Sequence, residues 1–200
     1  EFIHIREDVV SDDIDNNLIY IITKKMVDIL FVLFIGIFFG WLLLLIWIFV
    51  KIESPGPGIF KQQRVGKDNK LFVCYKFRTM IVNTKEVPSH FIKENEVTRI
   101  GRVLRKYKID ELPQIINILR NEISLIGPRP CLPSQTFLIE ERNKYENQNM
   151  KPGISGLSQV YGIDMSKPRE LSMWDCRYKN MRSLHLDLKI IIYTLLKVKR

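Results

Sequence analysis

Asp110 and Glu111 are adjacent carboxylates that follow a basic stretch of the chain. Arg105 and Lys108 stand just before them, and Arg129 follows inside a Gly-Pro-Arg-Pro segment. Basic surroundings favour an anionic ligand, and a carboxylate that faces a phosphoryl group can attack it or bind a metal ion that assists its transfer. The residue types and their spacing therefore predict phosphoryl-transfer chemistry at this pair.

The same pair also suits the beginning of a helix. Asp110 precedes a Leu-Pro-Gln-Ile-Ile run, Glu111 would lie in the first turn, and Pro113 is tolerated there. Capping and chemistry are compatible, because a helix N-terminus also attracts phosphate oxygens. The residue types alone leave both interpretations open.

The composition predicts one domain with an appendage and an anionic partner. The chain has 200 residues, and 31 basic against 22 acidic residues give a formal charge of +9. This charge fits nucleic acid, anionic lipid headgroups or a phosphorylated substrate, and it does not choose among them. The cysteines and histidines are scattered, which predicts reduced structural thiols and argues against a zinc site or a Ser/His/Asp triad: Cys74, Cys131, Cys176, His4, His90 and His185.

Residues 29–50 form an uncharged, apolar run. Its length matches the roughly 20 apolar residues that cross a bilayer, and its length, its position and the residues after it do not fit a cleaved signal peptide. Lys24 and Lys25 precede the run and Lys51 follows it, so the charge asymmetry that sets orientation is weak. The pattern predicts a membrane helix and leaves open whether it spans the bilayer or re-enters.

Two strands are predicted after this helix. Residues 59–65 and 71–80 have strand character and are joined across a Gly-Lys-Asp-Asn turn at residues 66–69. Lys76 and Arg78 share one face of the second strand, because side chains alternate along a strand. That face either meets an anion or forms a solvated basic edge that guards against aggregation.

Three helices are predicted in the rest of the chain. Residues 98–106 form a short basic helix, and residues 110–120 form a second one with four apolar residues facing the core: Leu112, Ile115, Ile116 and Leu119. The tail, residues 184–200, is amphipathic and predicts either an interfacial helix or a terminal helix packed on the core. Its apolar face comprises Leu184, Leu188, Ile191, Ile192 and Leu195.

Two loops have a composition that suits phosphate binding. In residues 126–133, Pro128 and Pro130 restrict the backbone on both sides of Arg129, so its guanidinium is presented stiffly and suits a diphosphate. The glycines of residues 151–159 let backbone amides approach a ligand, although this signal is weak. No phosphate-loop or dinucleotide fingerprint is present, which argues against ATPase and Rossmann folds.

Five segments, taken in their order along the chain, resemble the bacterial sugar transferase family, the monotopic phosphoglycosyl transferases. The resemblance runs from about residue 24 to the C-terminus and is far more specific than any single segment. The segments are Ser-Pro-Gly-Pro at 54–57, Tyr-Lys-Phe-Arg-Thr-Met at 75–80, Lys-Ile-Asp-Glu-Leu-Pro-Gln at 108–114, Ser-Leu-Ile-Gly-Pro-Arg-Pro at 124–130 and Lys-Pro-Gly-Ile-Ser-Gly at 151–156.

The resemblance implies transfer of a sugar 1-phosphate from a UDP-sugar to polyprenyl (undecaprenyl) phosphate, with release of UMP. This reaction would be the first membrane step of a bacterial glycoconjugate pathway, at the cytoplasmic face of the inner membrane. By resemblance, Asp110 is the nucleophile that forms a covalent phosphosugar intermediate. Glu111 positions the acceptor or joins Asp110 in binding Mg²⁺.

The resemblance also implies the substrate-binding residues and the partners. Arg105 and Arg129 would clamp phosphates, and the full implied set is Lys76, Arg78, Arg105, Pro128, Arg129, Pro130, Lys151, Gly153, Gln159 and Asp175. Asp175 and Tyr178 match the family's Asp-x-x-Tyr. The expected partners are a UDP-sugar, polyprenyl phosphate and membrane lipids, with no nucleic acid; a homodimer and downstream glycosyltransferases are compatible additions.

The implied fold is α+β, with an N-terminal membrane-embedded helix before a compact, mainly helical lobe that contains a small β-hairpin and ends in an amphipathic helix. The expected parts are an N-terminal extension at 1–23, as a tag remnant or the end of an upstream region, a re-entrant helix at 24–52 and a cytosolic domain at 53–200. Two departures from the family are visible. The membrane helix lacks the usual central Ser-Pro, leaving Gly40 as the expected bend, and Tyr161 replaces an Asn before Gly162, which bears on the sugar accepted.

Two other functions compete with this interpretation. A membrane-anchored module could bind anionic lipid or nucleic acid through its basic face without using Asp110. A membrane-linked phosphodiesterase could use the same carboxylates to hold a metal ion and activate water, without a covalent phosphosugar. Neither alternative accounts for the five ordered segments.

Overall fold

The computed structural model describes residues 18–81 and 96–197. These residues form an α+β fold, as predicted: a long N-terminal helix precedes a lobe of short helices with two small two-stranded sheets. Most of the predicted extension at 1–23 and the last residues of the predicted tail, 198–200, lie outside the described residues.

The described part of the chain contains seven α-helices and four strands. They are α1 (Leu18–Glu53), β1 (Ile59–Val65), β2 (Leu71–Phe77), α2 (Arg99–Lys106), α3 (Ile115–Leu119), β3 (Ser124–Ile126), α4 (Thr136–Lys144), β4 (Gly153–Ser155), α5 (Leu157–Val160), α6 (Pro168–Met181) and α7 (Leu184–Lys197). Short 3-10 helices cover Lys67–Asn69, Ile109–Gln114 and Asn147–Asn149. The first helix therefore begins before the predicted boundary at residue 24.

The predicted hairpin is confirmed. β1 and β2 are antiparallel, with Ile59 opposite Phe77, and the 3-10 turn Lys67–Asn69 joins them. β2 ends at Phe77 rather than at residue 80, and Met80 makes only an isolated bridge. The backbone N–H of Arg78 still donates to the carbonyl oxygen of Gly58 at 3.0 Å, while its side chain reaches the end of α1.

The predicted helix at 110–120 is a 3-10 helix, Ile109–Gln114, that continues into the short α3. Asp110 does not cap it: Lys108 holds the cap position in the left-handed region, with φ of 55°, and no side chain caps the first turn. Pro113 lacks an N–H, so it cannot donate an ordinary helical hydrogen bond at this point. The capping interpretation of Asp110 is therefore wrong.

The predicted core face of this segment is only partly correct. Leu112 and Ile115 are partly buried, whereas Ile116 is 39% exposed and Leu119 is 58% exposed. A 3-10 helix has three residues per turn, which shifts the side chains that follow it relative to a regular α-helix. The fully buried side chain is instead Asn117, whose amide accepts a hydrogen bond from the backbone of β2 and donates another to it, at 3.1 and 2.6 Å.

β3 and β4 form a short parallel pair that brings two loops together. The backbones approach so closely that a Cβ added to Gly153 would lie 2.1 Å from the backbone nitrogen of Gly127. Only glycine fits at such an approach. The close packing fixes the Gly-Pro-Arg-Pro loop, which begins at Gly127, against the start of β4.

In the described part of the chain, α1 is the one helix long and apolar enough to cross a membrane. It has 36 residues, and only 11% of its most apolar stretch is buried, so it is not a core helix of the lobe. The helix runs without interruption through Gly36 and Gly40, so the break expected at Gly40 is not present. A Cβ at either glycine would meet nothing within 4 Å. Neither glycine is required for packing against the described residues.

Both halves of α1 pack on the same lobe. In the N-terminal half, Asp28 accepts a hydrogen bond from the backbone N–H of Leu125 at 3.0 Å. At the C-terminal end, the Glu53 carboxylate accepts hydrogen bonds from the N–H of Ile100 at 3.1 Å. The lobe therefore lies along the helix rather than at one end of it.

The helix α7 is a terminal helix packed on the lobe, which was one of the two predictions for the tail; the interfacial role stays a prediction. Leu186 and Ile190 are buried and attach one face of the helix to the lobe. Leu188, Ile192 and Leu195 remain exposed on another face. α7 is thus a packed terminal helix with an apolar surface that is open to its surroundings.

Arg78 was predicted to bind substrate, but its guanidinium is used at the C-terminus of α1. It is buried and donates hydrogen bonds to the backbone oxygens of Val50 at 3.3 Å, Ser54 at 2.5 Å and Pro55 at 3.0 Å. The last carbonyls of a helix have no partner within the helix, so a cation placed there satisfies them and favours the helix dipole. Arg78 therefore joins the hairpin to the membrane helix.

We expect Arg78→Met to lower the free energy of unfolding by roughly 3 kcal/mol, because buried carbonyls would lose a charged donor. Thermal unfolding of the detergent-solubilised protein measures this change. Arg102→Met is the matched control, because Arg102 is exposed on α2. A variant at Arg78 that keeps full stability but loses nucleotide binding would contradict the structural role.

Candidate active site

The carboxylate pair lies on the 3-10 helix Ile109–Gln114, between α2 and α3. The left-handed backbone of Lys108 ends α2 and turns the chain into this segment. Glu111 is buried, at 8% exposure, whereas Asp110 is only partly buried. The two adjacent carboxylates therefore have different surroundings.

Glu111 is the centre of an ion-pair network. Its Oε1 accepts hydrogen bonds from Lys76 Nζ at 2.6 Å and from an Arg129 terminal nitrogen at 2.9 Å. Burial raises the pKa of Glu111, but the charges of Arg129 and Lys76 outweigh this effect and lower the pKa to about 2. Glu111 is thus ionised at any physiological pH and holds both cations in place.

Asp110 has a free carboxylate. It makes no hydrogen bond to the residues that the structure describes. Burial, followed by the negative charge of Glu111, raises the pKa of Asp110 to about 6, against the opposing effects of Lys76, Arg105 and Arg129. Near pH 7 most of the carboxylate is ionised, and without hydrogen-bond donors it is available as a nucleophile or metal ligand.

Arg129 is held stiffly, as predicted from its flanking prolines. The carbonyl oxygen of Pro128 accepts a hydrogen bond from Gly153 N at 2.9 Å, and that of Pro130 accepts one from Arg64 at 3.1 Å. The Glu111 charge raises the pKa of Arg129. Pro128, Pro130 and Gly153 therefore position the guanidinium.

Arg105 approaches the pair from α2. Its Nε donates to the hydroxyl of Thr79 at 2.9 Å, and its terminal nitrogens make no hydrogen bond to the described residues. Its charge acts on Asp110. Arg105 thus presents open donors to an anion near that carboxylate.

A cleft of about 360 Å³ opens beside Arg129. Its walls carry cationic, amide and apolar groups and one carboxylate: Arg64, Lys108, Arg129, Gln135, Gln159, Gly162, Ile163, Asp164, Met165 and Leu171. Gln159 is held there by a hydrogen bond from its Nε2 to the carbonyl oxygen of Ile154 at 3.2 Å. The cleft has the size and mixed character of a small-ligand site.

Two further residues predicted to bind substrate have partners elsewhere. Asp175 is 2% exposed, and one carboxylate oxygen accepts hydrogen bonds from Arg142 at 2.8 and 3.0 Å while the other accepts one from Ser158 at 3.3 Å. Lys151 donates to the side chain of Asn121 at 2.5 Å. Asp175 is therefore structural: it fixes α5, which presents the neighbouring Gln159, and Lys151 does not reach the carboxylate pair.

Tyr178, the second residue of the Asp-x-x-Tyr motif, is also structural. Its hydroxyl donates to Asp187 on α7 at 2.7 Å, and the same carboxylate pairs with Lys24 on α1 at 2.5 Å. The motif thus ties α6 to its neighbours through two buried carboxylates. A sequence pattern alone does not distinguish such a structural pair from a ligand-binding one.

Four residues of the cleft were not predicted to line it: Arg64, Lys108, Gln135 and Asp164. The sequence held one signal for Arg64. Side chains alternate along a strand, so Arg64 lies on one face of β1 and its direct neighbours lie on the other. Gln135 and Asp164 lie in segments with no motif of their own, and only the tertiary fold brings them together.

The described residues hold no group of three or more His, Cys, Asp or Glu side chains placed to bind a metal ion. Mg²⁺ usually takes one or two carboxylates and completes its shell with water and substrate phosphates. Asp110 fits this use because its carboxylate is free. Glu111 fits less well, because Lys76 and Arg129 already occupy its Oε1.

Comparison with known proteins gives consistent matches. The family described as bacterial sugar transferase matches residues 19–200. A protein of Aeromonas hydrophila, named UDP-N-acetylgalactosamine-undecaprenyl-phosphate N-acetylgalactosaminephosphotransferase, is 40% identical over 186 residues, which cover 88% of this chain and 44% of that protein. This chain therefore spans less than half the length of that relative.

Two further relatives differ in length and in name. The uncharacterized sugar transferase EpsL of Bacillus subtilis is 36% identical, over 88% of this chain and 87% of that protein. A protein of Caulobacter vibrioides, named UDP-glucose:undecaprenyl-phosphate glucose-1-phosphate transferase, is 35% identical, over 86% of this chain and 67% of that protein. The names of the Aeromonas and Caulobacter proteins specify different sugars.

We expect Glu111→Gln to lower the pKa of Asp110 by roughly one pH unit or more, because a neighbouring negative charge is removed while the cations remain. A carbon-13 NMR titration of the Asp110 carboxyl group measures this change. Glu122→Gln is the control, because Glu122 bonds Asn117 instead. An unchanged or increased pKa of Asp110 in the Glu111 variant would contradict the electrostatic coupling of the pair.

Proposed function

Because the chain belongs to the bacterial sugar transferase family, we propose that it transfers a sugar 1-phosphate from a UDP-sugar to undecaprenyl phosphate and releases UMP. The names of the Aeromonas and Caulobacter relatives support this reaction class. The observation that carries the proposal is the free carboxylate of Asp110, with a pKa of about 6, beside cations that Glu111 holds in place.

The reaction proceeds in two displacements at one phosphorus atom. A carboxylate oxygen of Asp110 attacks the β-phosphorus of the UDP-sugar, and the bond from that phosphorus to the bridging oxygen breaks, so its electron pair leaves with UMP. A phosphate oxygen of the acceptor then attacks the same phosphorus and displaces the carboxylate. The products are undecaprenyl diphosphate sugar and regenerated Asp110.

The cations of the site have separate tasks in this scheme. Arg105 presents open donors near Asp110, where charge develops on the transferring phosphoryl oxygens. Arg129, fixed by Glu111 and its loop, stabilises the diphosphate at the edge of the cleft. Lys76 stays paired with Glu111 and adds positive potential.

Mg²⁺ is the proposed cofactor. Asp110 would hold it together with the donor's phosphates, and Glu111 would act mainly through the cations it binds. When bound, the ion neutralises negative charge on the diphosphate.

The reaction is proposed to occur at the cytoplasmic face of the bacterial inner membrane, with both ends of α1 on that face. The contacts of Asp28 with Leu125 and of Glu53 with Ile100 place both halves of α1 against one lobe. If α1 crossed the bilayer, one of these contacts would lie far from the side that holds the lobe. The open apolar face of α7 suits the same membrane surface.

The competing functions make different demands on the site. A lipid- or nucleic acid-binding module has no use for a free carboxylate with a raised pKa among cations. A phosphodiesterase would release a sugar phosphate to water without a covalent intermediate. The homodimer and the contact with downstream glycosyltransferases stay predictions.

We expect Asp110→Asn to abolish UMP release, because an amide is not a competent nucleophile, while the thermal stability and UDP-sugar binding stay near those of the unchanged protein. The assay measures UMP from a panel of UDP-sugars with undecaprenyl phosphate and Mg²⁺. Asp68→Asn, at an exposed turn residue, is the matched control. UMP release by Asp110→Asn at the rate of that control would remove Asp110 as the nucleophile.

We expect residues at the start of α1 and after its end to lie on the same, cytoplasmic side. Single cysteines at the exposed positions Ile19 and Lys61 can be tested with a membrane-impermeant maleimide. Both should be protected in intact cells and labelled after permeabilisation. Labelling of Ile19→Cys in intact cells together with protection of Lys61→Cys would show that the helix spans the membrane.

A further inference from the structure

Arg64 lies near the end of β1 and faces two parts of the site. It lines the cleft of about 360 Å³ together with Arg129 and Gln159. It also lines a much smaller cavity of about 10 Å³, together with Lys76 and Glu111. Arg64 therefore lies between the ion-pair network and the open cleft.

The charge of Arg64 is not balanced by a direct partner. Its terminal nitrogens donate to the carbonyl oxygen of Pro130 at 3.1 Å and to the amide oxygen of Gln62 at 2.6 Å, and both acceptors are neutral. Its Nε is buried and has no hydrogen-bond partner among the described residues. Burial lowers the pKa of Arg64, and the nearby charge of Arg129 adds to this effect.

Arg64 is partly buried. Removing a cation from water without a counter-charge is costly, and a second cation nearby increases the cost. Glu111 does not remove this cost, because its Oε1 is occupied by Lys76 and Arg129. An anionic ligand in the adjoining cleft would supply the missing charge and acceptors. The position and the charge of Arg64 thus both indicate a phosphate ligand.

We propose that Arg64 is a third phosphate-binding cation of this site and binds the uridine-side phosphate of the donor from the hairpin. The inference rests on the proposed function, because it assigns a residue to the donor's diphosphate. Arg129 and Arg105 then act on the transferring phosphate near Asp110, and Arg64 acts on the phosphate that leaves with UMP. Charge is thereby balanced on both sides of the bond that breaks.

Titration calorimetry with UMP and with uridine tests the proposal on this 200-residue chain in detergent micelles. Arg64→Gln should weaken UMP binding by about 10- to 100-fold, as expected for a lost charge-assisted hydrogen bond, and should leave uridine binding unchanged. Arg64→Lys, which keeps the charge, should recover most of the UMP affinity. Lys61→Gln, an exposed charge on the same strand, is the control and should bind UMP like the unchanged protein.

The results separate this inference from the proposed function. Absence of UMP binding by the unchanged protein would overturn both. Unchanged UMP affinity in Arg64→Gln would overturn the role of Arg64 alone. Equal weakening of UMP and uridine in both Arg64 variants would also overturn it, because that pattern indicates only a structural role in holding Pro130.

A measurement on the unchanged protein covers the case in which Arg64→Gln does not fold. The side-chain Nε–H resonance of Arg64 should shift when UMP is added and much less when uridine is added. The resonance is assigned by its absence in Arg64→Lys. Equal responses to the two ligands would overturn the proposal.

Discussion

The rest of the site depends on the bridge that Glu111 makes between Lys76 and Arg129. This one buried carboxylate joins β2, the 3-10 helix and the Gly-Pro-Arg-Pro loop. Without its charge, two cations would repel each other at the point where these segments meet. Removing one partner of a buried ion pair costs more than the pair contributes, because the remaining charges are left uncompensated. The bridge therefore sets both the shape and the potential of the site.

The bridge is connected to the membrane helix through backbone contacts. Arg129 belongs to a loop that packs on Gly153 at the start of β4, and β4 pairs with β3. Within β3, the N–H of Leu125 donates to Asp28 on α1. On the other side, β2 leads directly into Arg78, which binds the carbonyls at the end of α1. The cations of the site are therefore linked to α1 from two directions.

The sequence was sufficient where the chemistry is local. The membrane helix, the hairpin, the carboxylate pair and the stiff Arg129 all follow from composition and neighbouring residues. The sequence was insufficient where a polar residue chooses between a ligand and a buried partner: Arg78 and Asp175 have the residue types of substrate ligands, yet they satisfy a helix end and Arg142. Arg64 was missed for the opposite reason. Its sequence position does not mark it as a ligand, and only folding places its charge beside that of Arg129.

The 3-10 geometry explains how adjacent carboxylates acquire opposite properties. Successive side chains of a 3-10 helix are about 120° apart, so Glu111 and Asp110 point in different directions. Glu111 meets two cations and has a pKa of about 2, whereas Asp110 meets none directly and has a pKa of about 6. Environments that push two neighbouring pKa values apart assign distinct roles to chemically similar groups. Pro113 and the left-handed Lys108 maintain this short segment, and the division of labour between the carboxylates is therefore a consequence of the backbone.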